Sequence, residues 1–276
     1  MKRINPYLSE HLLIAAVMLI SILGFWDIYF GAGSGPQPHH HLHVATAFAW
    51  MFLLLFQLRL IGNGNYAAHR KVGLAVLFAA PLLVATTAML SVHSAHRGVV
   101  SGNGDFLIIQ NVMGTIELGL LIFLAFLMKR RRKLHGAFLL STTILFMGIA
   151  LFFALISFAP PFRIEGPETF YRFQTAAMTG QAICLAVGVL FLIKDFRNGW
   201  PFLLAALFFV LNEMIRIALT QFDLIDPLTR IVGSMSQPLT FFGSLALLAL
   251  LLAATALPLA PRNRASELGS HGTQTE

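Results

Sequence analysis

The sequence is poor in charged residues and in cysteine, and both shortages narrow the class of protein. Only 11% of its 276 residues are Asp, Glu, Lys or Arg, whereas a soluble protein carries about 25%. So little charge cannot cover the surface of a soluble protein of this length, which excludes a soluble enzyme, a disordered chain and a coiled coil. The single cysteine, Cys184, excludes an internal disulfide and any zinc or iron–sulfur site built from several cysteines.

Apolar residues make up 57% of the chain, and the mean hydropathy is +0.76. A membrane-spanning helix needs about 20 predominantly apolar residues, and the sequence predicts about eight such spans. They cover residues 12–30, 43–61, 72–92, 106–128, 134–158, 174–194, 200–220 and 238–257. We therefore expect an all-α fold, a polytopic membrane helix bundle that forms one domain over residues 1–258. A polar and disordered cytoplasmic tail is expected over residues 259–276.

The basic residues are distributed unevenly among the predicted loops. Lys2 and Arg3 precede the first span, and the run Lys129–Lys133 lies between the fourth and fifth. Because Lys and Arg collect in cytoplasmic loops, this asymmetry predicts that both termini face the cytoplasm. The expected location is the inner membrane of a bacterial cell, with the lipid bilayer as a partner. The net charge of +7 then arises from these loops, and no nucleic-acid partner is expected.

Histidines cluster at the outer ends of the second and third predicted spans. His39 and His43 are four residues apart, and His93 and His96 are three apart, so each pair shares one face of a helix. Imidazole nitrogen is a ligand for iron, copper and zinc, and the two pairs together predict a transition-metal site. The alternative is that these are hydrated residues at the membrane interface without a ligand role.

A second group of histidines lies on the predicted cytoplasmic side. His69 begins the third predicted span and His135 begins the fifth. A haem b group in a helix bundle takes one axial imidazole from each of two helices, and Arg70 could bind a propionate. The sequence therefore predicts that His69, His135 and Arg70 bind haem b. The alternative is that they are ordinary boundary residues next to basic loops.

Several ionisable side chains fall inside the predicted spans, where such residues are costly and usually functional. Glu117 lies near the middle of the fourth span, seven residues after Gln110. Glu213 and Arg216 are three residues apart in the seventh span and are therefore predicted to form an ion pair. We expect Glu117, Glu213 and Arg216 to act catalytically, with Glu117 handling protons and with Glu213 and Arg216 in an outward-facing polar pocket. The alternative is a purely structural ion pair.

The histidines also belong to a longer pattern that runs from His41-Leu42-His43 through Trp50 and Gln57 to His69-Arg70-x-x-Gly73. Over residues 39–150 this block resembles uncharacterised bacterial multi-pass membrane proteins. More remotely, the chain resembles cytochrome b561-type membrane haem proteins, in which histidines on successive helices ligate haems near both membrane faces. His69 and His135 match one such pair, but the fourth span offers no histidine for the other. The paired histidines also resemble two of the boxes of membrane desaturases and hydroxylases, without a third.

These observations favour a haem- or metal-binding redox protein that transfers electrons, in other words a membrane oxidoreductase with a histidine-rich site on the outer side. A quinone or a component of a respiratory chain is the expected partner. The alternative is a multi-pass transporter or permease, or an assembly factor for a respiratory complex, that uses the same histidines to handle a metal or substrate.

Overall fold

The computed structural model describes residues 6–102 and 104–256. All regular structure in these residues is helical, in eleven α-helices and two short 3-10 turns. The helices are α1 (Leu8–Gly24), α2 (Trp26–Phe30), α3 (Pro38–Gly62), α4 (Tyr66–Gly73), α5 (Val76–Ser101), α6 (Ile108–Leu127), α7 (Arg132–Phe158), α8 (Tyr171–Lys194), α9 (Trp200–Gln221), α10 (Ile225–Gly233) and α11 (Gln237–Ala256). The prediction of an all-α polytopic bundle is confirmed. The predicted tail at 259–276, and Lys2 and Arg3, lie outside the described residues.

Seven helices of the described chain are long and apolar enough to cross a membrane, namely α3, α5, α6, α7, α8, α9 and α11. The remaining predicted span, the first in the chain, corresponds to α1, which is apolar but has only 17 residues. Helix α1 packs along α7. Near its start Glu10 lies 2.6 Å from Lys194 at the end of α8, and its last residue, Gly24, meets the backbone of Ala150 in α7. It therefore runs through much of the bundle beside the longer helices.

The chain breaks its helices at two places where the sequence predicted continuous spans. The first predicted span ends early, because α1 stops at Gly24 and the separate helix α2 follows. The predicted start of the third span at residue 72 is also wrong, since residues Tyr66–Gly73 form the polar helix α4. The Asn65 side chain caps α4 by accepting a hydrogen bond of 3.1 Å from the Ala68 amide. As a result His69 lies on α4, outside the spans.

Helices α5 and α7 form the centre of the bundle. Helix α5 packs against α3, α6, α10 and α11, and α7 packs against α1, α6, α8 and α9. Trp50 of α3 is fully buried and donates a 3.0 Å hydrogen bond to Thr142 of α7. Helix α10, which the sequence did not predict, packs its Gly233 against the Ala95 backbone of α5. A side chain at position 233 would keep the two backbones apart.

Contacts between helix ends divide the loops into two groups at opposite ends of the bundle. At one end, Lys133 lies 3.4 Å from Asp195 and Lys194 lies 2.6 Å from Glu10. We call this the basic end because cations gather in its helix ends and loops. They are Arg59, Arg70, Lys71, Lys129, Arg130, Arg131, Arg132, Lys133, Lys194 and Arg197. The opposite end, which we call the histidine end, carries the beginning of α3 and the last turns of α5.

Candidate functional site

Three imidazole rings meet at the histidine end of the bundle. His39 and His40 lie in the first turn of α3, and His93 lies on the neighbouring helix α5. The ring centres of His39 and His93 are 4.2 Å apart, and those of His40 and His93 are 5.2 Å apart. One nitrogen from each ring lies within 4.8 Å of the others. We call His39, His40 and His93 the histidine trio.

The trio differs from the predicted metal site in two of its members. His43 lies one turn further along α3, where its Nδ1 atom is 3.4 Å from Thr86 Oγ1. His96 is exposed and faces the Gly233 carbonyl oxygen at 3.2 Å. The structure thus brings together the predicted His39 and His93, and it adds His40, which the sequence prediction missed.

Helix geometry explains this exchange. His43 lies about 6 Å further along the helix axis than His39, and its ring is turned toward Thr86, whereas the rings of His39 and His40 both lie against His93. His40 stands three residues after Gln37, the N-cap of α3, and its Nδ1 atom accepts a 2.9 Å hydrogen bond from the Gln37 amide. This capping contact orients its ring. The spacing of Gln37 and His40 around Pro38 was the signal in the sequence that pointed to this geometry.

A cavity of about 790 Å³ lies inside the bundle next to the trio, and His40 and His43 contribute to its lining. One side is formed mainly by aromatic and aliphatic side chains of α1, α2, α7 and α8, among them Phe25, Phe153 and Phe173. We call it the aromatic wall. The facing side is formed by α6 and α9, and we call its polar residues the polar wall. They are Gln110, Glu117, Asn212, Glu213 and Arg216.

The polar wall contains buried atoms that lack hydrogen-bond partners. Glu117 is 2% exposed and Asn212 is 1% exposed, and Asn212 Nδ2 donates to Glu117 Oε2 at 3.3 Å. Glu117 Oε1, Asn212 Oδ1 and Gln110 Oε1 have no partner among the described residues. Buried polar atoms are nearly always paired in folded proteins, so these three oxygens mark a place where another group is expected to bind.

The predicted ion pair in the seventh span is present. Arg216 donates through Nε to Glu213 Oε2 at 2.9 Å and through Nη2 to Glu213 Oε1 at 2.5 Å. This two-point contact fixes the planes of both groups. All three residues predicted to be catalytic, Glu117, Glu213 and Arg216, line the same cavity. Their catalytic role stays a prediction.

The predicted haem ligands lie together at the basic end. His135 Nδ1 is 2.8 Å from the Ala125 carbonyl oxygen. In the orientation that satisfies both atoms of its amide, Gln57 donates to the Nδ1 atom of His69 and accepts from the Gly73 amide at 2.9 Å. Partial burial lowers the pKa of His69, and the charge of protonated His135 lowers it further. Arg70 lies exposed on α4, next in the chain to His69.

Comparison of the chain with protein-family models, with curated proteins and with solved structures finds no match.

Proposed function

We propose that this protein is an integral membrane metal-binding protein that holds a transition-metal ion in the histidine trio and uses it to transfer electrons. The observation that carries the proposal is the convergence of His39, His40 and His93 from two helices, with one nitrogen of each within 4.8 Å of the others. Three imidazole ligands and one open coordination position are typical of a reactive metal centre rather than a purely structural one.

The distances in the trio suit a metal after a small rearrangement. Nitrogen ligands at 2.0–2.1 Å from a tetrahedral metal are about 3.3 Å from one another, so the largest separation of 4.8 Å has to shorten by about 1.5 Å. Rotation of the side chains supplies this movement. His39 Nε2 is buried without a partner, so its binding to a metal breaks no existing hydrogen bond.

His40 has to change its hydrogen bonding in order to act as a ligand. Its Nδ1 lone pair accepts from the Gln37 amide, and in that tautomer Nε2 carries the proton and cannot bind a metal. Loss of one such hydrogen bond costs about 1 kcal/mol. Binding of zinc to a complete structural site is worth about 10–16 kcal/mol. The metal therefore outweighs the capping bond, and binding frees the Gln37 amide.

Copper and iron are the metals that fit both the ligands and the proposed redox role, since imidazole binds both and both change oxidation state. Zinc binds the same ligands but supplies no electron. The cavity next to His40 would bring a substrate close to the metal, which supports a membrane oxidoreductase over a passive metal store. The positive-inside rule puts the trio on the outer side of a bacterial inner membrane.

Haem b between His69 and His135, with Arg70 near a propionate, belongs to the same proposal as a second redox centre. Its support is the proximity of the two rings, since the charge of His135 acts on His69. The bond between His135 Nδ1 and the Ala125 carbonyl oxygen would leave Nε2 of His135 free for iron. An absorption spectrum of the purified protein tests this part directly, because bound haem gives a Soret band.

The experiment for the trio is a metal titration of the full chain, purified in detergent and first treated with a chelator. Copper and zinc are added in turn, and the bound metal is counted by elemental analysis after gel filtration. We expect about one ion per chain for the wild type, and binding at least tenfold weaker for the double variant His39→Ala, His93→Ala.

The matched control is His41→Ala, because His41 lies in the same turn of α3 but contacts Tyr29 outside the trio. It should bind metal as the wild type does. Equal metal content in the double variant and the wild type would overturn the metal site. A copper-loaded protein whose metal cannot be reduced and reoxidised would overturn the electron-transfer role alone.

A further inference from the structure

The polar wall of the cavity offers hydrogen-bond acceptors that nothing in the described chain uses. Glu117 Oε1 and Asn212 Oδ1 are both buried without a partner. The orientation of the Asn212 amide is fixed, because its Nδ2 donates to Glu117 Oε2, so its free atom is the oxygen. With Glu117 ionised both free atoms are acceptors, and a ligand that satisfies them brings hydrogen-bond donors.

The cationic donor in the same wall, Arg216, is already engaged. Arg216 directs Nε and Nη2 at Glu213, and the two side chains hold each other in a fixed plane. The wall thus presents free acceptors in its buried part and a closed ion pair beside them. This arrangement favours a molecule with hydroxyl groups over one that offers only carbonyl oxygens, because the carbonyl oxygens would face other acceptors.

The aromatic wall favours a ligand that contains a flat ring. Aromatic side chains such as Phe25, Phe153 and Phe173 pack against flat rings in stacked or edge-to-face arrangements. A volume of about 790 Å³ lies within the range of about 300–1,000 Å³ that is usual for sites of small organic ligands. It accommodates a substituted ring together with part of a hydrocarbon tail.

Water alone is a poor occupant for such a cavity. At about 30 Å³ for each molecule in the liquid, the cavity would need a large cluster of waters, most of them against apolar side chains. The exposed lining is mainly apolar, and its buried polar atoms without a partner lie on α6 and α9. A cavity with one polar and one aromatic wall matches an amphipathic molecule drawn from the bilayer.

We propose that this cavity is a binding site for a lipophilic quinol, a dihydroxylated aromatic ring with a hydrocarbon tail. One hydroxyl donates its single hydrogen to Glu117 Oε1, whose carboxylate Asn212 holds in place, and the ring packs against the aromatic wall. His40 of the trio also lines this cavity, but the acceptors for the quinol lie on α6 and α9, whereas the trio lies on α3 and α5, so the two kinds of binding are tested by different variants. The binding of quinol and the binding of metal can therefore fail independently.

The test uses the full chain in lipid nanodiscs under anaerobic conditions, without added metal. The probe is a decyl-substituted benzoquinol, and its oxidised quinone is the matched control ligand, because it has the same ring and tail but no hydroxyl donor. Bound ligand is counted spectrophotometrically after gel filtration, with empty nanodiscs as the background. We expect about one quinol per chain, and binding of the quinone at least tenfold weaker.

Two variants and one control locate the site. Glu117→Leu and Asn212→Leu should each weaken quinol binding at least tenfold. Thr115→Val is the control, since Thr115 lies on α6 like Glu117 but does not line the cavity, and its hydroxyl donates to the Asn111 carbonyl oxygen. It should bind as the wild type does. The melting temperature of each variant shows whether it is folded.

Quinol retention no greater than that of empty nanodiscs would overturn the proposal, as would equal affinity for quinol and quinone. Unchanged binding by both folded leucine variants would have the same meaning. Retention of decylamine in preference to the quinol would overturn it in favour of a cationic ligand. If a leucine variant does not fold, the comparison of quinol with quinone on the wild type still decides the matter.

Discussion

The two halves of the bundle differ in whether their buried polar groups have hydrogen-bond partners. Toward the basic end, Gln57 is 8% exposed, yet both atoms of its amide find partners on His69 and Gly73. Deep in the core, Trp50 and Thr142 bond each other. In the half toward the histidine end, His39, Gln110, Glu117 and Asn212 each keep a buried atom without a partner among the described residues.

This difference separates structural polar groups from those available for binding. A polar side chain that closes its own hydrogen bonds stabilises the contact between two helices and needs nothing further. A buried atom without a partner lowers stability by about 1–3 kcal/mol, and such atoms are expected where function requires them. All four of the unpartnered atoms found in the described residues lie in the histidine trio or line the cavity, so these atoms mark the trio and the cavity as the places in the histidine half that are available for binding.

The largest effect should come from a test of which end faces the cytoplasm. A reporter protein that is active only in the cytoplasm should be active when it is fused at residue 132, in the basic end, because basic loops face the cytoplasm. The same reporter fused at residue 165, between α7 and α8, should be inactive, so the expected difference is all or none. A periplasmic signal at residue 132 would reverse the orientation and place the trio on the cytoplasmic side.

A second test compares the stability effect of removing a polar group whose hydrogen bonds are all made with that of removing a pair that keeps unpartnered atoms. Gln57→Leu should lower the free energy of unfolding by about 1–3 kcal/mol, because His69 and the Gly73 amide lose their partner. The double variant Glu117→Leu, Asn212→Leu removes both members of a pair that has free acceptors. Its stability should change by less than about 1 kcal/mol or rise, because apolar side chains replace unsatisfied atoms.

Denaturant unfolding in detergent measures both variants under identical conditions. If the double variant loses as much stability as Gln57→Leu, Glu117 and Asn212 are structural residues like Gln57. The division of the bundle into a structural half and a binding half would then be wrong.

The helical fold could be predicted from the sequence because apolar runs of about 20 residues leave a membrane protein few other folds. The breaks within those runs could not be predicted. At Gly24, the last residue of α1, α7 lies so close that a Cβ atom would come within 2.4 Å of the Ala150 carbonyl oxygen. Such a contact belongs to the packing of two helices far apart in sequence. The polar helix α4 had a local signal, the Asn63-Gly64-Asn65 turn before it.

The candidate site could be predicted at the level of its residues, with less success for their partners. Histidine spacing identified the correct helices, and the polar residues of α6 and α9 were recognised one by one. Asn212 bonds Glu117 because particular faces of α6 and α9 meet. Sequence periodicity shows which residues share a face of a helix, but it does not show which helix packs against that face. The choice of His40 over His43 likewise depends on the depth at which α3 meets α5.

A smaller effect should distinguish two glycines that line the same cavity. Alanine favours a helix by up to about 1 kcal/mol over glycine. A Cβ atom on Gly114 meets nothing within 4 Å, whereas one on Gly148 would lie 2.1 Å from Phe209 Cζ. Gly114→Ala should therefore raise the free energy of unfolding. Gly148→Ala should lose that gain, because the Phe209 ring must turn, and it should be less stable than Gly114→Ala by about 1 kcal/mol.

The same pair of variants probes the shape of the cavity. The displaced Phe209 ring lines the cavity, so Gly148→Ala should also weaken quinol binding more than Gly114→Ala does. Equal melting temperatures for the two variants would contradict this close contact between α7 and α9.

The smallest effect should appear in the dependence of stability on pH. Burial and the charge of His135 lower the pKa of His69 in the folded protein, whereas the unfolded chain keeps the usual imidazole value of about 6.5. Below pH 6.5 the unfolded state therefore binds a proton at His69 more readily than the folded state does. The free energy of unfolding falls as the pH falls. The change is small because His69 is only partly buried, so solvent screens much of it.

The variant His69→Gln isolates this contribution, because glutamine has no charge to gain and retains an amide near Gln57. We expect the melting temperature of the wild type to fall further between pH 7.5 and pH 5.5 than that of His69→Gln. His135→Gln should give an intermediate slope, since it removes the neighbouring charge but leaves the burial of His69 unchanged. An equal dependence of melting temperature on pH for the wild type and His69→Gln would show that this ring is hydrated in the folded protein. The hydrogen bond between Gln57 and His69 would then no longer distinguish the basic end from the histidine end.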